Sequence, residues 1–171
     1  MKKNGFTLIE LVVTIIILAI LSVIAVPKFI GLQADARLAS LQGLKTEMHG
    51  VMSVLYPKSV FQGLENKPKP DKENGEENFI VIDGEKVDLV YGYPAADAAN
   101  SWSKLIMAKF EDSQFNPERP ADWYFQNNPA ENFILFMPQT KKFKGDNCYL
   151  KYTEAQSPTT PPTFEILDSG C

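Results

Sequence analysis

Residues 5–14 read GFTLIELVVT, and the run continues as IIILAILSVIAV to residue 26. Between Phe6 and Val26 the only polar side chains are Thr7, Glu10, Thr14 and Ser22. These 21 residues form a helix of about 31 Å, the thickness of a bilayer core. Lys2 and Lys3 precede the run and predict a cytoplasmic N-terminus, with everything after Val26 outside. Glu10 is the anomaly, because a carboxylate at membrane depth costs about 2.5–3.5 kcal/mol and usually has a partner and a role. The segment also differs from a secretory signal. Ala25-Val26-Pro27 is a poor cleavage site and helical sequence continues beyond it, so the run is expected to remain in the working protein. A simple anchor accounts for its length and for the lysines but not for Glu10. A cut after Gly5 would create an amine on Phe6, four residues before Glu10. Amine and carboxylate would then neutralise each other within one chain or between neighbours. Between packed helices that pairing sets register, because an unpaired charge in an apolar core is heavily penalised.

KKNGFTLIELVVTIIILAILSVIAVP (2–27) resembles the class III leader and N-terminal helix of type IV pilins and pilin-like proteins, and the likeness extends over about the first 56 residues. The resemblance implies a membrane-embedded prepilin peptidase that cuts between Gly5 and Phe6 and methylates the Phe6 amine. It implies that Glu10 pairs with the Phe6 amine of a neighbouring subunit, and that Pro27 kinks the helix. The other implied partners are further copies of the chain in a homopolymer and the inner-membrane assembly machinery of a Gram-negative bacterium. The subunit would sit in the inner membrane as a single-pass protein and then in an extracellular pilus. Losing Met1–Gly5 removes two lysines from 17 basic residues against 21 acidic ones, so the net charge moves from −4 to −6. No basic stripe is present, and nucleic acid is not an expected main partner.

After Pro27 the helical pattern becomes amphipathic. Ala34, Leu38, Leu41, Leu44, Met48, Val51/Met52 and Leu55 alternate by three and four, and Pro57 predicts the stop. Gly31, Gly43 and Gly50 each cost about 1 kcal/mol against alanine. They allow close approach of neighbours or local melting, or they are merely tolerated. The expected organisation is leader 1–5, apolar polymerisation helix 6–27, amphipathic half 28–56 and an α+β head 57–171.

In the head, 57–78 reads as an exposed connection. Asp71, Glu73, Glu76 and Glu77 lack the spacing of an EF-hand. FIVI (79–82) and KVDLVYGYP (86–94) read as a hairpin around Asp83-Gly84-Glu85, and 95–110 as a second amphipathic helix. WYFQ (123–126) and NFILFMP (132–138) flank a turn at Asn127-Asn128-Pro129, and CYLKYTEA (148–155) and TFEILD (163–168) are further strands. The fold class is α+β, a largely antiparallel sheet wrapped on the second half of the long helix. Outside the cytoplasm, Cys148 and Cys171 are expected to pair, closing about 24 residues and contributing about 3 kcal/mol in the chain-entropy model. The region 148–171 agrees with the disulfide-bounded C-terminal region of pilins. VDLVYGYPAA (87–96) and PKFIGLQADARLASLQGLK (27–45) resemble the major pilins of the mannose-sensitive haemagglutinin (MSHA) type, which implies surface attachment.

Signs of catalysis are sparse. His49 is the one histidine and is expected to have an ordinary packing or surface role. No nucleotide loop or nucleophile elbow occurs. Glu111/Asp112 and Glu118/Asp122 read as solvated pairs. Lys141, Lys142 and Lys144 form a short basic cluster that could touch DNA or an anionic glycan but reads as a solvated turn. The expectation is a structural subunit with no catalytic residue, metal or cofactor, whose loops 57–78 and 139–171 meet any surface or glycan receptor. The alternatives are a pseudopilin of a type II secretion system and, further off, a membrane-anchored binding domain.

Overall fold

The computed structural model describes residues 5–71 and 74–171, and for residues 27–30 only their helical backbone. The leader residues Met1–Asn4 and the geometry of a kink at Pro27 lie outside what is described. The chain divides into two compact units, residues up to Ala36 and Arg37–Cys171.

One helix, α1 (Leu8–Phe61), contributes to both units. Its first part carries a window of mean hydropathy 3.0 with no residue buried, long and apolar enough to cross a membrane. Its second part turns Leu41, Leu44, Met48, Met52 and Leu55 inward, all buried, as the three–four spacing requires. The helix does not stop at Pro57. It runs to Phe61 and ends where Gly63 takes φ 69°. Leu64 N donates to Ser59 O at 3.0 Å and Gly63 N to Val60 O at 3.0 Å. This paired closure around a left-handed glycine is a Schellman cap, and Leu64 then packs with Leu55. One missing proline N–H does not outweigh that cap and the buried face it completes.

The head contains two sheets. The smaller one has the order β1 (Phe79–Ile82), β2 (Glu85–Val90) and β3 (Tyr93–Pro94), all antiparallel. The expected strand 86–94 is therefore itself a hairpin. Asp83-Gly84 (φ 49°, 85°) and Tyr91-Gly92 (φ 49°, 81°) are both two-residue turns with positive φ throughout, matching the right-handed twist of the strands. Gly92 meets a second demand. A Cβ there would lie 2.6 Å from Ser59 Oγ, and Ser59 donates to the Gly92 carbonyl at 3.0 Å.

The larger sheet has five strands in sequence order, β4 (Phe110–Asp112), β5 (Trp123–Asn128), β6 (Phe133–Pro138), β7 (Tyr149–Thr153) and β8 (Thr163–Leu167). All neighbours are antiparallel except the β4–β5 pair, which is parallel. Every residue of β6 is buried. Ile134 and Phe136 join Leu150, Tyr152, Trp102 and the α1 leucines in the main core. Phe133, Leu135 and Met137, on the opposite face, pack with Ala121 and Tyr124. Each buried large side chain contributes about 1.5–3 kcal/mol. This is the α+β arrangement implied by the resemblance, with a mostly antiparallel sheet packed on the amphipathic part of the helix.

The second helix is shorter than the periodicity of 95–110 implies. A π-helical turn (Ala98–Trp102) runs into α2 (Ser103–Leu105). Asp97 caps its start by accepting from Asn100 N at 3.1 Å, and Ile106 is already extended (φ −116°). Phe110 reaches the core from a strand, its ring 5.8 Å from Phe136. An i, i+4, i+8 pattern thus arose from two different elements. The connection after Phe61 is also less free than expected. Leu64 and Asn78 are buried, Tyr91 N donates to Lys67 O, and Asn78 Nδ2 donates to the Lys67 and Pro68 carbonyls.

Candidate functional site: the helix N-terminus and the packing face of α1

Gly5, Phe6 and Thr7 precede α1 and are exposed. The Gly5–Phe6 bond therefore lies outside the helix. Leu11 N donates to Thr7 O at 3.2 Å, the first bond of the helix, which makes Thr7 its N-cap. Glu10 N donates to Thr7 Oγ1 at 3.4 Å. Glu10 Oε2 in return accepts from Thr7 N at 3.0 Å and from Thr7 Oγ1 at 2.6 Å. Thr-Leu-Ile-Glu is thus a reciprocal capping box. The sequence carried this signal, a threonine three residues before a glutamate at the head of an apolar run, and attention to the charge alone missed it. In this arrangement Glu10 already has donors, and Phe6, whose amine the cut would free, is the residue next to Thr7.

A second feature lies on the outer face of α1 in the head. Ala39, Gly43, Thr46, Gly50, Ser53 and Pro57 recur at intervals of four and three, and all are exposed. A Cβ added at Gly43 or Gly50 would meet nothing within 4 Å. Thr46 and Ser53 turn their hydroxyls back to Gln42 O (2.9 Å) and Gly50 O (2.7 Å) of the same helix. The stripe is therefore smooth, and its hydroxyls are satisfied without a partner chain.

At the other end of the chain, Cys148 and Cys171 form a disulfide. Cys148 immediately precedes β7, so the bridge ties the tail to a strand. Arg37 of α1 donates to the Cys171 carbonyl and to Thr140 Oγ1 at 2.8 Å. Gly170 N donates to Asn147 O at 2.9 Å.

The remaining singled-out residues are structural in their surroundings. The His49 ring lies 4.4 Å from that of Phe164. Glu111, read as solvated, is only 14% exposed and lies near Lys109 (3.9 Å) and Arg119 (4.0 Å), because it belongs to β4 rather than to a loop. Glu154 went unnoticed, since one acid at a strand end carries no pattern. It is buried, accepts from Ala96 N at 2.7 Å and pairs with Lys69 at 3.0 Å. Among the described residues no group of three or more His, Cys, Asp or Glu side chains is placed to hold a metal. Two open hollows of about 350 Å³ are lined one by Lys67–Pro70 and Glu76–Asn78, the other by Val51, Val54, Ile82 and Leu105, and a third of about 310 Å³ by His49, Ser53 and Tyr56.

Residues 1–26 match the family described as the prokaryotic N-terminal methylation motif. The chain carries a type IV pilin-like prepilin signal. That signal implies processing by prepilin peptidase, and it is shared by pilins and pseudopilins. The apolar helix that follows fits membrane anchoring before assembly. No curated protein and no solved structure gives a significant match.

Proposed function

We propose that this chain is the major structural subunit of a type IV pilus that attaches cells to surfaces, of the MSHA kind. It has no catalytic role. Its work is assembly. The observation that carries this reading is the prepilin signal on a helix whose first apolar stretch, residues 8–24, is exposed throughout in the single chain, Ile9 being 71% and Ile20 61% exposed. Exposed apolar surface on that scale needs either lipid or other helices. In the membrane, lipid covers it. In a filament, neighbouring helices do, and burial supplies most of the driving force.

Cleavage between Gly5 and Phe6 by prepilin peptidase and N-methylation of Phe6 precede assembly. Glu10 then exchanges its local donors for the amine of an adjacent subunit, which fixes axial register. The small-residue stripe of α1 lets a neighbouring helix approach closely along the upper part of the shaft. The parts of the loops within 57–78 and 139–171 that neighbouring heads leave uncovered meet any receptor.

The experiment is mass spectrometry of the N-terminus of the chain from sheared-cell filaments, with the filaments measured by electron microscopy. Long filaments built of N-methylated Phe6 chains support the pilus. A processed chain that stays in the membrane fraction, with no long filament, favours a pseudopilin of a type II secretion system. A chain that starts at Met1 in the fibre overturns both.

A further inference from the structure

Charge is unevenly divided over the head. Residues 139–151 hold four basic side chains against one acidic, while residues 74–88 hold five acidic against one basic. The two stretches belong to different sheets of the same compact unit.

The basic stretch lies over the outer face of the five-stranded sheet. Lys142 sits 5.0 Å above the Tyr124 ring, and Lys144 and Lys151 lie 6.0 and 4.9 Å from the Phe133 ring. The aromatic rings keep these ammonium groups on one face instead of leaving them to sample solvent. Lys142 also donates to Pro117 O at 2.8 Å, and Lys151 is partly offset by Glu165 at 3.4 Å. Asp146, the acid within the stretch, accepts from Phe143 N at 3.1 Å. In the middle, Phe143 stands 51% exposed, flanked in sequence by Lys142 and Lys144. An exposed aromatic flanked by cations has the composition of an interface core with a charged rim.

The acidic stretch has the opposite net charge. Glu76, Glu77, Asp83 and Glu85 are exposed around the β1–β2 hairpin, and Lys86 lies 3.5 Å from Glu77. Val81, on the edge strand β1, is 55% exposed. Its cross-strand neighbour is Lys86, and the acids Glu76, Glu77, Asp83 and Glu85 lie towards the two ends of the same hairpin.

We infer that the Lys141–Lys144 face receives the acidic β1–β2 hairpin of a second copy of this chain, with Phe143 and Val81 as the apolar pair and the charges around them. Two complementary patches at different places on one chain make a heterologous contact. Such a contact closes into a ring where its rotation closes and otherwise repeats into an open helical array, the geometry a filament requires. Complementary rims also fix orientation and exclude misaligned neighbours. The inference rests on the filament reading above and adds to it a head-to-head contact outside the apolar shaft.

The test is a charge swap in cells that express the full chain, with sheared filaments quantified and cleaved subunit in the membrane measured as the folding control. Lys141→Glu/Lys144→Glu and Glu76→Lys/Glu85→Lys are each expected to lower filament yield about tenfold at unchanged subunit level, a loss of about 1.4 kcal/mol per contact. The fourfold variant is expected to recover to within about twofold of the parent, since each reversed rim again faces its opposite. Parental yield from either double variant, or no recovery in the fourfold one, overturns the inference and leaves assembly through Glu10 untouched. Absence of filaments from the parent chain removes the inference and the filament reading together.

Discussion

The Thr7 hydroxyl donates to the Glu10 carboxylate at 2.6 Å, and the Thr7 amide donates to the same oxygen at 3.0 Å. Glu10 is thus a helix-capping residue before it is anything else. A capping role needs an acceptor at this position, whereas pairing with a neighbouring amine needs a negative charge. The two are separable.

Glu10→Gln keeps an oxygen that reaches the Thr7 amide, and a capping box tolerates it. Glu10→Ala loses both oxygen and charge. If charge governs assembly, both variants are cleaved normally and both fail to form filaments, as counted on electron micrographs. Filaments from Glu10→Gln at parental number would show that capping suffices and that no salt link between subunits operates. Thr7→Ala should cost the helix end about 1 kcal/mol while leaving cleavage intact.

The stripe on α1 gives a second prediction. Gly43→Leu and Gly50→Leu add bulk where nothing lies within 4 Å, and leucine is a better helix former than glycine by about 0.8 kcal/mol. The single chain should be as stable as the parent or slightly more so in thermal melts. Filament yield should nonetheless fall, because two helices meeting along small residues are forced apart by leucine. Unchanged yield with raised stability would show that the stripe faces solvent in the assembly.

Glu154 sets an order of effects. Glu154→Ala orphans the Ala96 amide and the Lys69 ammonium, and removing one member of a buried charged pair costs on the order of 3 kcal/mol. Lys69→Met should cost less, because Glu154, 3% exposed, loses its counter-charge but keeps the bond from the Ala96 amide. Urea midpoints of the detergent-solubilised chain measure both. Equal costs would mean that the ion pair, and not the bond to Ala96, is what Glu154 contributes.

How much of this was legible beforehand depended on whether a residue acts through a local pattern. The apolar run, the buried face Leu41–Leu55 and the Asp83-Gly84 turn follow from period and turn chemistry, and each was readable. Phe110 was not, because its i+4 spacing from Ile106 mimics a helix while its pairing partner, Trp123, lies beyond the window. Pro57 pointed to a stop that the Gly63 cap and Leu64 override. The split of 86–94 was signalled by Gly92 but masked by the β-rich residues around it. The capping box was present as a motif and was overshadowed by the more conspicuous charge. Glu154 was out of reach, since its meaning lies in a lysine 85 residues away.

Tyr152 supplies the pH-dependent prediction. Its ring is fully buried, 4.9 Å edge-on from Trp102, and its hydroxyl donates to the Pro94 carbonyl at 2.6 Å. Burial first, and then the nearby negative charge of Glu154, push its pKa well above the ordinary tyrosine value. In the unfolded chain the phenol ionises near pH 10, at about its ordinary value. The folded state therefore keeps its proton where the unfolded state loses it. The contribution of Tyr152 to stability is then constant below about pH 10 and falls above it, by up to about 1.4 kcal/mol per pH unit until the folded phenol also titrates. Tyr93, raised in the same direction by burial, adds to the slope. Tyr152→Phe should lower stability at neutral pH by about 1 kcal/mol, through loss of the bond to Pro94, and should flatten the decline above about pH 10. Urea midpoints of parent and variant from about pH 8 to 11 check this. Parallel curves would mean that Tyr152 ionises as readily in the fold as out of it, and that the alkaline loss arises elsewhere.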